Sequence, residues 1–365
     1  MTSLLFQPFS VRAVEFRNRV WVSPMCQYSC ENQDGVPSDW HLVHLGSFAR
    51  GGAGLVVAEA SGVLPEGRIT PWCAGIWGDD QVTEWRRIVD FVHGQGAKAG
   101  IQLAHAGRKG STHRAWSGEG TVPVSEGGWQ TVAPSPIAFT GYAAPRELSV
   151  GEIRELPAAW AAAARRALDA GFDVLEVHAA HGYLLHEFLS PLSNVRNDEY
   201  GGALDNRARL LLDVVRAVRA EAGEGVPVFV RLSATDWSEP EGWTVEDTVT
   251  VARWAHEAGA DLVDVSSGGN ITGVRIPTAP GYQVPFASAV RGGADVPTGA
   301  VGQIVGAHQA EAILASGEAD AVFIGREFLR DPHLPLRMAH ELGVPLDYWP
   351  NQYLRADFAH RPDVD

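Results

Sequence analysis

Short runs of β-branched and apolar residues alternate along the chain with longer stretches whose apolar positions recur every three to four residues, the pattern of strands followed by amphipathic helices. Eight such runs predict strands, over residues 19–23, 54–61, 99–104, 172–178, 226–233, 262–267, 298–303 and 319–325. Between them the helical period predicts helices over 39–50, 80–95, 149–170, 206–222, 245–258, 307–316 and 332–342. Strands that alternate with helices fold as parallel neighbours joined by crossovers. No Gly-x-Gly-x-x-Gly turn follows an early strand and the strand count is eight, so the expected fold is α/β, a single (β/α)8 TIM barrel over residues 1–365 and not a doubly wound sheet. The segment Phe9-Ser-Val-Arg-Ala-Val-Glu-Phe16 alternates apolar and polar residues and predicts an N-terminal β-hairpin, within a cap of residues 1–18, that closes the barrel bottom.

Two stretches break the rhythm. Residues 106–148, rich in Gly, Pro, Ser and Trp, and residues 268–296 predict long loops. Each follows a strand, which places both on the C-terminal face, where barrels of this kind carry their active sites. Trp116, Trp129 and Phe286 lie in them and are expected to shape a pocket. Arg108-Lys109, at the opening of the first loop, could meet a nicotinamide or its phosphate, but two charges opening a surface loop read first as a solvated pair.

Composition narrows the function. Of 365 residues 45% are hydrophobic and 20% charged, the balance of a folded globular enzyme. The net charge of −15 repels nucleic acid and anionic membrane alike, which leaves small molecules as the expected partners. Three cysteines, Cys26, Cys30 and Cys73, are too few and too irregular for a disulfide framework and lack the spaced pairs of a zinc or iron–sulfur site. The first residues carry no basic region before a long apolar stretch and no window approaches a membrane span, so the expected location is cytoplasmic.

The densest chemistry is His178-Ala-Ala-His181-Gly-Tyr183, just past the strand run Phe172-Asp-Val-Leu-Glu-Val177. Histidines three apart in the turn after a strand can converge on one small anionic group, and a phenol beside them can deliver a proton. Two other readings stand at this point: a satisfied core histidine, or a metal cluster of His178, His181, His186 and Glu187.

The other strand ends add groups suited to a flat, phosphorylated cofactor. Ser23-Pro-Met-Cys-Gln-Tyr28 places a thiol, a thioether and a phenol after the first strand, although a buried free cysteine is the common fate of that residue. Ala60 is small enough for a ring to approach the backbone. Gln102, in an apolar run, needs a polar partner, and a pyrimidine-like ring edge would serve. Arg231 aims a cation into the barrel mouth, to meet an anion or an internal partner such as Asp236 or Glu176. Gly302, Gly325 and Arg326 end the last two strands, where backbone N–H groups of this fold close on a phosphate.

Taken in order, these residues resemble the flavin-dependent ene-reductases of the Old Yellow Enzyme family, in the thermophilic-like branch with the bacterial NADPH dehydrogenases. The likeness covers nearly the whole chain. Its marks are the Ser23–Tyr28 segment, Glu59-Ala60, Gln102-Leu-Ala-His-Ala-Gly-Arg-Lys109, Gly171 to Tyr183, Leu189-Ser-Pro-Leu-Ser-Asn-Val-Arg-Asn-Asp-Glu-Tyr-Gly-Gly202, Arg231-Leu-Ser and Gly325-Arg-Glu-Phe-Leu-Arg-Asp-Pro332. The resemblance implies a non-covalent FMN, held by Ser23, Pro24, Met25, Cys26 and Ala60, with Gln102 and Arg231 at the pyrimidine edge and Gly302, Gly325 and Arg326 at the phosphate. It implies that Cys26 tunes the flavin, that Tyr28 lines the substrate side, that His178 and His181 hold the oxygen of an activated alkene, and that Tyr183 protonates it after hydride transfer from flavin N5. NADPH would regenerate the flavin in the same site, giving ping-pong kinetics.

The tail Asn351-Gln-Tyr-Leu-Arg355 resembles the branch's C-terminal Gln-Tyr-x-Arg, whose arginine enters a neighbouring subunit's active site; residues 344–365 are therefore expected at the interface of a homodimer or homotetramer. The branch follows that arginine with glycine and an aromatic, whereas here Ala356-Asp357 precede Phe358. Against the flavin reading stand a metal-dependent barrel hydrolase or lyase using His178 and His181 as ligands, and a non-catalytic FMN-binding protein. A larger flavin and iron–sulfur reductase of the dienoyl-CoA type would need a later cysteine cluster, and this sequence has no cysteine after Cys73.

Overall fold

The computed structural model describes residues 3–358; residues 1 and 2 of the expected cap and 359–365 of the expected tail lie outside the described residues. Strands β1 (Phe9–Val11) and β2 (Val14–Phe16) pair antiparallel as the hairpin. Eight strands then close a barrel: β3 (Val20–Val22), β4 (Leu55–Gly62), β5 (Lys98–Ala104), β8 (Val174–Ala179), β9 (Val228–Ser233), β10 (Leu262–Ser266), β11 (Thr298–Ala300) and β12 (Ala321–Ile324). All eight pairings are parallel, and β12 closes on β3 through Val322 and Val20. The remaining strands, β6 (Val132–Ala133) and β7 (Arg146–Glu147), form a separate two-stranded parallel pair inside the loop after β5.

The crossover helices are α1 (Asp39–Arg50), α2 (Asp79–Gly94), α3 (Val150–Asp169), α5 (Leu204–Ala222), α6 (Val245–Glu257), α7 (Val284–Ala294), α8 (Ala307–Ala315) and α10 (Leu334–Glu341), with α4 (Leu184–Leu189) and α9 (Arg326–Arg330) as short turns directly after β8 and β12. Their starts are chemically marked. Ser149 caps α3 by accepting from the Glu152 N–H while the Glu152 carboxylate accepts from the Ser149 N–H, a reciprocal pair that satisfies two otherwise orphaned donors. Thr244 caps α6 from one side only, accepting from the Asp247 N–H. Helix α7 corrects the expectation of a loop over 268–296. Its Pro285 sits in the first turn, where no N–H is needed, and Gly292-Gly293 close it, so residues that read as breakers are at its two ends. No helix among the described residues is long and apolar enough to cross a membrane.

What positions the site is the stacking of inward-facing residues. Val174, Phe229 and Leu262, one from each of β8, β9 and β10, join Trp21, Leu55, Val57, Ala321 and Phe323 in an apolar cluster that fills the barrel bottom, with Val11 and Phe16 of the hairpin packed into it. Trp21 is its centre, with its ring 4.6 Å from Phe16, 5.8 Å from Phe229 and 5.3 Å from Phe323, and its Nε1 bonded to the Asn18 carbonyl. Two residues further along each strand, on the same face, stand Glu176, Arg231 and Asp264. Two further again stand His178, Ser233 and Ser266, at the mouth. The barrel thus passes from an apolar floor through a carboxyl–guanidinium layer to a polar rim.

Candidate active site

The carboxyl–guanidinium layer is buried. Arg231 Nε lies 3.1 Å from Asp264 Oδ2, on the neighbouring strand at the same level. This corrects the expected partners of Arg231, because Asp236 is committed elsewhere and Glu176 is taken by Gln102, whose Nε2 donates to Glu176 Oε1 at 2.7 Å. Burial raises both carboxylates above their usual range, Glu176 further raised by Asp264, while Arg231 pulls each of them down.

Above this layer β8 ends in the turn His178 to Tyr183. The His178 ring centroid is 5.2 Å from His181 and 5.2 Å from Tyr183, so the three side chains form one cluster. His181 takes the left-handed conformation with φ 60°, which a non-glycine residue holds only when its surroundings fix it. They do: its N–H bonds to Ser233 Oγ at 2.9 Å and its Nε2 shares a hydrogen bond with Ser266 Oγ at 2.7 Å. The Gly182 N–H donates to His186 Nδ1 at 2.8 Å, and a side chain at Gly182 would overlap the Gly269 carbonyl at 2.4 Å. The turn therefore packs backbone against backbone on the 268–270 segment.

His186 and Glu187 do not join His178 and His181. His186 spends Nδ1 on Gly182 and faces Asp236 Oδ1 with Nε2 at 3.3 Å, both side chains fully buried. Asp236 also accepts from Ser190. Glu187 Oε1 accepts from the Arg108 backbone N–H at 2.9 Å. Among the described residues no group of three or more His, Cys, Asp or Glu is arranged to hold a metal ion.

Electrostatics keeps the cluster neutral. Burial, with Arg231 as the next cause, depresses both His178 and His181 well below the ordinary histidine range, and burial raises the Tyr183 phenol well above its own. Cys26, Tyr28, Ala60 and Tyr183 meet in one cluster with Ile69, Cys73 and Ala104, forming the other wall of the mouth. Burial, then Glu59, raises the Cys26 thiol, and Tyr28 is raised chiefly by Cys26 and then by its own burial. Ala60 reaches this wall because β4 carries a bulge: its pairing with β5 shifts between Ala58 and Ala60, so Glu59 is skipped and turns outward to His41 Nε2 at 3.2 Å and the Gln27 N–H at 3.1 Å. Trp116 stands with its ring 6.0 Å from Tyr28 and is 64% exposed, Trp129 lies under Arg68, and Phe286 packs from α7 on Trp237.

On the far side, the ends of β11 and β12 frame a cavity of about 470 Å³ lined by Met25, Gly302, Gly325, Arg326 and, from α7 and its approach, Tyr282 and Gln283. Ser23 bonds β12 through its N–H to the Ile324 carbonyl at 3.0 Å, and Pro24 carries the chain on to Met25. Gly302 has φ 115°, and a Cβ there would come within 2.8 Å of Gln283 Nε2, so only glycine keeps this recess open.

Two residues were misjudged from sequence. Arg108 is 2% exposed and holds the Asn270 carbonyl at 2.7 Å, the Asn270 Oδ1 at 3.0 Å and the Ile137 carbonyl at 3.1 Å. Lys109 Nζ donates to the His181 and Gly269 carbonyls, both at 2.8 Å, and lies 4.9 Å from the Tyr183 ring centroid. Lys109 thus clamps the turn to the 268–270 segment and Arg108 ties that segment to the loop at Ile137, roles invisible in sequence because their partners lie across the barrel mouth. Burial lowers the Lys109 ammonium to about 8. Lys109→Met is expected to cut acceptor turnover about tenfold by leaving two carbonyls unpaired, and to remove any transition near pH 8 from the kcat/KM profile; unchanged kinetics would show that the clamp is dispensable. Arg355 is not brought to the mouth of its own chain: it is exposed on the short turn Asn351–Ala356, whose Tyr353 packs on His333 and under Arg50, the last residue of α1.

These features fit the FMN expected from sequence. The glycine-framed recess with Arg326 suits a phosphate, the small Ala60 leaves room for a ring plane, and the carboxyl–guanidinium layer keeps Arg231 Nε and Glu176 Oε2 without a hydrogen-bond partner among the described residues. Comparison with known proteins agrees. The family model described as NADH:flavin oxidoreductase / NADH oxidase family matches residues 4–344. The chain is similar to the NADPH dehydrogenase of Geobacillus thermodenitrificans, 47% identical over 97% of this chain and 99% of that protein. Among solved structures it is similar to the old yellow enzyme homologue of Zymomonas mobilis, with a TM-score of 0.77 and 30% identity over 98% of this chain and 99% of that one. It is also similar to a 2-naphthoyl-CoA reductase, with a TM-score of 0.84 and 27% identity, over 94% of this chain but only 52% of that longer one.

Proposed function

The chain belongs to the NADH:flavin oxidoreductase / NADH oxidase family, among the Old Yellow Enzymes, and on the premise of an FMN-dependent, NADPH-using oxidoreductase we propose that it reduces the carbon–carbon double bond of α,β-unsaturated carbonyl compounds and of nitro-activated alkenes. The observation that carries this reading is the neutral cluster of His178, His181 and Tyr183 facing Cys26 and Tyr28 across the mouth. When bound, FMN supplies to the β-carbon of the acceptor a hydride taken from NADPH.

Each residue then has a task. Ser23, Pro24, Met25, Cys26 and Ala60 hold the ring, Gln102 and Arg231 meet its pyrimidine edge, and Gly302, Gly325 and Arg326 hold the phosphate. His178 and His181 donate N–H bonds to the acceptor oxygen, where negative charge gathers during reaction. Two neutral imidazoles serve better than imidazoliums, since they polarise the oxygen without surrendering a proton to it. Tyr183 keeps its proton throughout the neutral range and gives it to the α-carbon only once that carbon has become strongly basic. The Lys109 ammonium over its ring favours the phenolate that remains. Tyr28 lines the acceptor side, and Arg355 of a neighbouring copy completes it in a homodimer or homotetramer. A cytoplasmic location, where three free thiols stay reduced, belongs to the same proposal.

Because the depressed histidines are already neutral, acceptor kcat/KM is expected to be flat from about pH 5.5 to 7. Stability has the opposite sensitivity. The folded pKa lies below the unfolded value of 6.5, so below 6.5 the unfolded chain binds more protons and the fold loses stability as pH falls. A rate transition near pH 6.5 that disappears in His178→Gln would contradict the neutral-donor role. The reading as a whole is tested by an anaerobic visible spectrum: yellow protein should bleach with NADPH and regain colour with 2-cyclohexen-1-one. Bleaching without recovery in the enone would sink the proposed acceptor class.

A further inference from the structure

The carboxyl–guanidinium layer contains two carboxyl groups, Glu176 and Asp264, and one guanidinium, Arg231, with the Gln102 amide packed against Glu176. Asp264 is the partner of Arg231. Glu176 makes one hydrogen bond, from the Gln102 amide nitrogen at 2.7 Å, and its second oxygen is buried without a partner among the described residues. Such a group is costly to enclose, so its retention at the level where a cofactor ring is to be held calls for a role.

An amide offers a donor on one arm and an acceptor on the other, about 120° apart, and either arm can face a ligand. The Glu176 oxygen that faces this amide accepts from its nitrogen at 2.7 Å. We propose that Glu176 is a positioning residue: by claiming the NH2 arm of Gln102 it fixes the amide so that the oxygen, an acceptor, is what the cofactor ring meets. Asp264 is the ion-pair partner of Arg231, and every N–H of that guanidinium is a donor. The layer therefore presents an acceptor from β5 and a donor from β9, the complement of an imide edge, in which a ring N–H lies beside a carbonyl. With the amide reversed, its nitrogen would lose the Glu176 oxygen it meets at 2.7 Å and its NH2 would face the ring N–H. The groups that face Glu176 are Gln102 from β5, Arg231 from β9 and Asp264 from β10.

The inference rests on the FMN reading, and its test separates the two. The full chain is stripped of its non-covalent flavin and titrated with FMN and with 3-methyl-FMN, which lacks the ring N–H, following flavin fluorescence. The wild type is expected to bind 3-methyl-FMN at least about tenfold more weakly. In Glu176→Gln, whose amide no longer dictates the orientation of Gln102, the Kd for FMN should rise about tenfold while that for 3-methyl-FMN stays within about twofold. Glu176→Asp, which keeps a carboxyl oxygen for the amide nitrogen, should retain most of the preference, and it decides the matter together with the wild type if Glu176→Gln does not fold. A purely structural role would weaken both flavins in parallel, and that outcome overturns the inference, as does a wild type that binds the two alike. Failure of the wild type to bind any flavin would instead overturn the cofactor reading.

Discussion

Tyr183→Phe is expected to lower the rate of enone reduction in a single turnover by about a thousandfold while leaving reduction of the flavin by NADPH at its wild-type rate. The split follows from what the phenol does. Hydride transfer from NADPH requires no proton at the α-carbon of an acceptor, so only the second half of the cycle loses its acid. The ring remains to pack against His178 at 5.2 Å and under Lys109, and the variant is therefore expected to fold and to bind acceptor normally. Measuring the two half-reactions separately by stopped flow, in the absence of oxygen, checks this. An unchanged oxidative half-reaction would remove Tyr183 from the proton-donor role and pass it to solvent.

Arg231→Met should be the most destabilising single change in the barrel interior, by about 3–5 kcal/mol, because it strands the fully buried Asp264 carboxylate and removes the one cation that draws Glu176 down. The pH dependence has a definite sign. Asp264 is raised above its unfolded value of 3.8, so between that value and its folded one the native state binds more protons, and stability is lost as pH rises through the window. Without Arg231 the folded value rises further, and the deficit should shrink as pH is lowered from about 8 to 5. Urea unfolding of flavin-free protein at the two pH values measures it. The double variant Arg231→Met with Asp264→Leu should recover much of the loss, and additive losses in that cycle would show that the two side chains are not a pair.

The eight strands and the hairpin were legible because each is a short apolar run between turn residues, and a barrel interior buries such runs on both faces. Helix α3 was legible from its apolar period over 149–170, and the structure starts it at Val150 behind the Ser149 cap. Helix α7 was not, because Pro285 and Gly292-Gly293 carry the same letters at helix ends as in loops. Nor was α4, a single short stretch hidden behind the chemistry of His181-Gly-Tyr183. In the candidate site, residues at the ends of strands could be named one by one, since strand ends are a property of local sequence. Pairings between strands could not. That Arg231 meets Asp264 and not Asp236 is decided by the register of β9 against β10, and that Lys109 reaches the His181 and Gly269 carbonyls depends on two loops meeting over the mouth.

The apolar floor built on Trp21 has a consequence for protons. With Phe16, Phe229 and Phe323 packed around that indole, the floor cluster among the described residues is built of apolar side chains. Under the proton-donor role proposed for Tyr183, a phenol that had given up its proton would therefore be recharged from the open end, the doorway through which product would leave. The barrel would then work as a vessel with one opening, in which the acid is reset after the vessel empties.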